Sequence, residues 1–139
     1  MSTCRFYHPI EVRYGDLDPQ GHVNNARYLT YMEQARIAYI AHLGLWKGSS
    51  FLDIGIILAD VHLTFKSSIQ FGQQIRVGVQ VTRLGNKSMS IQHSIEDAQT
   101  SEQLAACQAV VVAYDYRQEC TIPIPDQWRE TLATFERLT

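Results

Sequence analysis

One stretch, Asn25 to Leu43, has the spacing of an amphipathic helix, while nearly every other patterned stretch alternates like a strand. Tyr28, Met32, Ala35 and Tyr39 recur at intervals of three and four, flanked by Leu29, Ile40 and Leu43. That recurrence matches the helical period, and so broad an apolar face needs a partner surface. Asn24 or Asn25 can cap the start, because an asparagine side chain accepts a hydrogen bond from a free first-turn amide. Gly44 suits the left-handed residue that commonly ends a helix. With no second helix of that length before the C-terminus, the face cannot be buried in a bundle. It must be buried against a sheet.

The sheet is legible as five alternating stretches. Ile10, Val12 and Tyr14 alternate at the end of residues 4–14, which predicts a first strand ending near Tyr14. Residues 54–68 place Ile57, Ala59, Val61, Leu63 and Phe65 on one face and Asp60, His62, Thr64 and Lys66 on the other. Ile75, Val77, Val79 and Val81 form a third alternating row, and Met89, Ile91, His93 and Ile95 a fourth. Residues 104–116 are apolar almost throughout at 109–113, as expected of a central strand. Turn residues at 84–87 and 97–102 join consecutive strands closely, and such short connections require antiparallel neighbours. After Pro123 and Pro125, Trp128, Leu132, Phe135 and Leu138 predict a short C-terminal helix. The expected fold is α+β: a curved five-stranded antiparallel sheet wrapped around one long central helix. It forms a single domain over residues 1–139, with its core at about 4–117 and a helical extension at about 123–138. One layer leaves a sheet face and its edges open, which favours a homodimer or homotetramer.

Composition narrows the function by exclusion. A net charge of −2 gives no basic surface for nucleic acid. Asp53 and Asp60 interrupt the most apolar region, so no membrane insertion is expected. Residues 1–5 lack the apolar core of a secretory signal. Cys4, Cys107 and Cys120 are too widely spaced for a disulfide framework or a metal site, a pattern that suits a reducing cytoplasm. Cys107 sits in an apolar run and reads as a small core residue.

The chemistry concentrates between the first strand and the helix, in Arg13-Tyr14-Gly15-Asp16-Leu17-Asp18-Pro19-Gln20-Gly21-His22-Val23-Asn24-Asn25. The first amides of a helix point outward without partners and, with the macrodipole, favour negative charge. A carbonyl placed there would be polarised and its oxyanion stabilised. Asp18, on a Pro-Gly turn just before the helix, could attack that carbonyl or activate a water. Asp16 lies nearer the strand and is the poorer candidate. The same residues also satisfy a purely structural turn followed by a cap. The residues alone leave both readings open.

Asp16-Leu17-Asp18-Pro19-Gln20-Gly21-His22-Val23-Asn24-Asn25-Ala26-Arg27-Tyr28-Leu29, followed by Met32-Glu33-Gln34-Ala35-Arg36, closely resembles the N-terminal signature of hotdog-fold acyl-CoA thioesterases of the 4-hydroxybenzoyl-CoA thioesterase-like branch. The resemblance implies hydrolysis of an acyl-CoA or acyl-ACP thioester to a free acid and the carrier thiol, without a metal or other cofactor beyond the substrate's own coenzyme A. It places the catalytic carboxylate on Asp18, as nucleophile or general base, and the polarising amide on the backbone of Asn25. His22 is a supporting residue. Gln20 stands where the similar plant acyl-ACP thioesterases carry asparagine, so their Asp/Asn/His mechanism does not transfer. The branch also implies a coenzyme A phosphate role for Arg83, Lys87 and Ser88 near the 84–87 turn, where a plain polar turn is the competing reading.

Leu29 and Met32 are candidate walls for the acyl chain. Glu33 and Arg36, three residues apart, read as a helix-surface ion pair, although other hotdog branches keep a catalytic carboxylate on the helix. His93 reads as a hydrogen-bonded core histidine. Asp60 and His62 have no role legible from sequence. A same-fold hydratase is a rival, disfavoured because its Asp-to-His spacing is matched neither by Asp18 nor by Asp16. A non-catalytic acyl- or CoA-binding module is the rival of another class.

Overall fold

The computed structural model describes residues 4–138, so Met1 to Thr3 of the N-terminal stretch and Thr139 lie outside it. The central helix, α1, spans Asn25–His42. Asn24 is its cap, the side-chain oxygen accepting from the Ala26 amide at 2.9 Å. The chain leaves the helix through Gly44 at φ +75°, a conformation that costs glycine no Cβ clash. Tyr28, Tyr31, Met32, Ala35, Tyr39 and Ile40 are buried, as the helical period requires.

Five strands form antiparallel ladders: β1 Phe6–Ile10, β2 Ile56–Phe65, β3 Ile75–Leu84, β4 Ser88–Asp97 and β5 Gln103–Asp115. Their spatial order is β1-β3-β4-β5-β2, which puts the apolar β5 inside the sheet, as expected. A two-residue strand, β6 Cys120–Thr121, pairs with the end of β5 and is too short to leave a sequence signal. The C-terminal helix, α2, runs Asp126–Glu136 and buries Trp128 and Leu132. This is the hotdog arrangement, a curled sheet with one long helix against its inner face. No helix among the described residues is long and apolar enough to cross a membrane.

Two expectations need correction. The first strand stops at Ile10, and residues 14–16 form a 3₁₀ turn that leaves Tyr14 82% exposed. The cause is local: Asp16 accepts a 3.0 Å bond from the Arg13 amide, and that closed turn replaces ladder pairing. The expected apolar row of β2 is also broken. Leu58 pairs with Val111, but Asp60 pairs with Val110, so Ala59 is an extra residue in a β-bulge. Val61, Leu63 and Phe65 therefore share the inner face with Leu58, whereas Ile57 points outward with Asp60, His62 and Thr64.

The core lies where α1 meets β1 and β3, and where α2 closes on β3. Val77, Val79, Ile95, Ala105 and Val111 line its floor with almost no exposure. Because α1 leans toward β1 and β3, the inner face of the β2 edge is left partly open. Val61 and Phe65 remain 37% and 46% exposed there.

Candidate active site

The Asp18 turn is built by short-range bonds. The Asp18 amide donates to the His22 carbonyl at 2.9 Å, and the Gly21 amide donates to the Asp18 carbonyl at 2.9 Å. Gly21 sits at φ +87°, which an L side chain rarely adopts. Leu17 and Val23 pair as an isolated bridge, and the Val23 amide donates to the Ile69 carbonyl at 2.9 Å. These bonds anchor the turn directly ahead of α1. The Asp18 side chain is 15% exposed, and its Oδ1 accepts from the Gln20 amide at 3.0 Å. His22 Nδ1 lies 3.9 Å from the same oxygen, too far for a direct hydrogen bond and close enough for one through small motion or water.

The first amides of α1 differ in what they donate to. The Ala26 amide is taken by the Asn24 side chain and the Arg27 amide by the Asn24 carbonyl. The Asn25 amide has no acceptor among the described residues, and it opens the first turn of an 18-residue helix. Tyr28, buried on the next turn, donates to the Ser67 carbonyl at 3.4 Å and stacks edge-on against Phe65 at 4.9 Å. Burial and the nearby Asp18 charge both push its phenol pKa up.

Asp16, expected to be a minor supporter, is the best-buried carboxylate of the stretch at 1% exposure. It accepts from the Tyr31 hydroxyl at 2.7 Å and the Arg13 amide at 3.0 Å, with Arg13 and Arg27 guanidinium groups at 3.5 and 3.7 Å. Burial pushes this carboxyl up, but the Arg13 amide, the Tyr31 hydroxyl and the Arg13 charge outweigh it and hold the pKa below the usual value. The Asp16 carbonyl also accepts from the Asn24 amide at 2.9 Å, so this residue ties the loop to the helix cap.

Leu29 and Met32 both line a cavity of about 240 Å³ between α1 and β2, together with Arg36, Leu58, Val61 and Cys107. A wider, mostly apolar groove of about 630 Å³ also includes Arg36 and Leu58, and runs on to Ile37, Phe51 and Tyr116. This space lies between α1 and the inner face of the β2 edge.

The surface ion pair expected of Glu33 and Arg36 is absent. Arg36 is only 7% exposed, and its Nη1 lies 3.4 Å from Nε2 of His93. Helical spacing held the signal, since Arg36 lies one turn beyond buried Met32 on the same face. His93 is the core histidine expected, 2% exposed, and burial with the Arg36 charge pushes its pKa down to about 3. Cys107 is likewise buried, at 3% exposure.

Arg83, Lys87 and Ser88 lie at the β3–β4 hairpin. The Asp18 loop lies at the other end of these strands, bridged through His22 to Gln70. The ten residues of β3 separate the two regions by about 30 Å at 3.3 Å per residue. Arg83 lines an outer-face cavity of about 300 Å³ with Asp60, His62 and Ser90, while Lys87 donates to Thr121 Oγ1 at 3.3 Å. Within one chain, none of these residues faces the Asp18 turn. No cluster of three metal-ligating side chains occurs among the described residues.

Comparison with known proteins identifies the family and the fold. The profile of the thioesterase-like superfamily matches residues 12–132. The long-chain acyl-CoA thioesterase FadM of Escherichia coli is 23% identical over 88% of this chain and 93% of its own length. The 1,4-dihydroxy-2-naphthoyl-CoA hydrolase of Synechococcus elongatus is 26% identical over 87% of this chain and 90% of its own. A thioesterase from Thermus thermophilus, solved in complex with coenzyme A and zinc, superposes with a TM-score of 0.85 at 30% identity, covering 99% of this chain and 98% of that one. With its signature turn, its hotdog sheet and a superfamily match over most of its length, the chain belongs to the thioesterase-like superfamily and is a thioester hydrolase.

Proposed function

We propose that this protein hydrolyses acyl-CoA thioesters to a free carboxylic acid and coenzyme A, with Asp18 as the reacting carboxylate. The observation that carries the reading is the pairing of a half-buried carboxylate, fixed on a closed turn, with the unclaimed Asn25 amide at the start of α1. The thioester carbonyl oxygen would accept from that amide, which strengthens as negative charge builds on the oxygen. Asp18 would then add to the carbonyl carbon directly, or remove a proton from a water that adds. The C–S bond breaks, and the thiolate of coenzyme A leaves and takes up a proton. In the direct route, water then cleaves the mixed anhydride and regenerates Asp18. His22 would steady the carboxylate or the water. The acyl chain would lie along Leu29 and Met32.

Coenzyme A is favoured as carrier because two relatives are named for acyl-CoA substrates. Arg83, Lys87 and Ser88 would contact its phosphates only from a neighbouring subunit, since they lie far from their own Asp18. That reading includes a homo-oligomer, with the open β2 edge as a surface available for assembly.

Release of thiol from acyl-CoA by wild type and by Asp18→Asn tests the assignment. The variant should lose about 10²–10⁴-fold in rate while remaining folded. Undiminished turnover would remove Asp18 from the chemistry. A single turnover in ¹⁸O-labelled water separates the routes, because label in the Asp18 carboxylate arises only through the anhydride.

A further inference from the structure

Arg36 is a buried cation without a direct ion pair, the charge of Glu33 reaching it only from beyond 4.0 Å. It is 7% exposed, and its one hydrogen-bond neighbour, His93, is a neutral ring at physiological pH. Among the described residues no carboxylate lies within 4.0 Å of the guanidinium. Glu33, one turn earlier, is exposed but lines both cavities between α1 and β2, and it makes no contact within 4.0 Å of the guanidinium. A guanidinium carries five N–H donors in a planar fork that matches a carboxylate, and it stays charged even when burial disfavours the charge. One of those donors faces His93, and the side chain lines both cavities between α1 and β2. Leu29, Met32, Leu58, Val61 and Cys107 give the smaller cavity its apolar wall, and Thr30 and exposed Glu33 are its other polar members.

The placement fits a ligand that enters at the helix start. Arg36 is eleven residues beyond Asn25, about 16 Å along the axis at 1.5 Å per residue. Its side chain leans back toward the N-terminus, which shortens that distance. A group bound with its carbonyl at Asn25 and its chain along Leu29 and Met32 would therefore end near the guanidinium. Desolvated charges are stabilised by an opposite charge in good geometry and by little else.

We propose that the acyl groove takes thioesters whose chain ends in a carboxylate, with Arg36 receiving that carboxylate at the far end of the pocket. This inference rests on the hydrolase reading above and adds the class of acyl group. An aliphatic end would leave the guanidinium without a direct ion pair, whereas a terminal carboxylate would supply one and use the fork.

The test compares matched pairs of acyl-CoA thioesters of about six to twelve carbons, one ending in methyl and one in carboxylate. For at least one length, wild-type kcat/KM should favour the carboxylate-ended thioester about tenfold or more. Arg36→Gln should bring that ratio to one or below, and Arg36→Lys, which keeps charge but not the fork, should give an intermediate ratio. As a readout independent of turnover, the free dicarboxylic acid of the best length should raise the melting temperature of wild type more than the monocarboxylic acid does, and Arg36→Gln should abolish the difference. A wild-type ratio of one or below at every length would overturn the proposal. So would a ratio that Arg36→Gln leaves unchanged, or a variant whose only effect is on sedimentation, which would assign the counter-charge to a second copy of the chain. Cleavage of methyl-ended thioesters without any preference would sink this inference alone. Failure to cleave any thioester, with Asp18→Asn matching wild type, would sink the hydrolase reading with it.

Discussion

The hydroxyl of Tyr31 donates a 2.7 Å hydrogen bond to Oδ2 of Asp16, joining the second turn of α1 to the loop that carries Asp18. Both groups are buried, at 4% and 1% exposure. The bond therefore works in a low dielectric, and its acceptor is charged. It fixes the turn that carries Asp18 to the same helix whose first amide is proposed to hold the substrate carbonyl.

Replacing Tyr31 by Phe should cost about 1.5–3 kcal/mol of stability, the usual range for a hydrogen bond to a charged group. Urea unfolding of wild type and variant measures the difference. A cost within experimental error would mean that the bond is replaced by water in solution.

The same carboxylate sets an acid limit. Asp16 is held below its ordinary pKa in the folded chain. The unfolded chain consequently binds the proton at higher pH than the folded one does. The stabilisation is complete above the unfolded value of about 3.9 and is lost as pH falls through the lower folded value. Stability of wild type should fall over this window, and Asp16→Asn should be less stable at neutral pH with a flatter fall on acidification. Urea midpoints at a series of pH values test both the offset and the slope.

Asn25→Pro separates fold from chemistry. Asn25 is the first helical residue, where proline is well tolerated because no intrahelical bond uses its N–H. Asn24, the preceding residue, already has φ −62° and ψ 139°, which proline permits in its neighbour. The helix should survive while the polarising amide disappears, and kcat should fall about 10²–10³-fold. Circular dichroism together with thiol release checks the two halves of this expectation.

At the other end of α1, Glu136 of α2 accepts from the Tyr39 hydroxyl at 2.6 Å and from the Val81 amide at 3.0 Å. Glu136→Ala would leave both buried donors unpaired, a loss of at least about 2 kcal/mol. Limited proteolysis should then cut the α2 region first, since this carboxylate is the buried polar link between the C-terminal end of α2 and the core.

Where structure follows from a local period, the sequence was readable. Tyr28, Met32, Ala35 and Tyr39 are buried together because helical spacing alone puts them on one face. The β3 row at Ile75, Val77, Val79 and Val81 is likewise buried. Asn24 caps α1 as its side chain predicts, and Gly21 takes the positive φ that a tight turn demands. The non-local facts were not readable. Arg83, Lys87 and Ser88 have the right chemistry for phosphate, yet strand order places them at the far end of the sheet from their own Asp18. The solitary burial of Arg36 depends on where α1 sits against His93, and no pairwise spacing records that. Asp16 looked secondary because its partner, Tyr31, is fifteen residues away on another element.

The bulge at Ala59 makes β2 a strand with two phases. Before it, even-numbered Leu58 faces the helix side; after it, odd-numbered Val61, Leu63 and Phe65 do. A single-residue deletion at 59 would restore plain alternation only by rotating one segment of the strand through half a turn. If the later segment turned, Asp60, His62 and Thr64 would be driven into the space between α1 and β2 and three apolar side chains out of it. The length of this strand is thus constrained to the residue, because it is counted against the apolar lining beside α1 as well as against the ladder of β5.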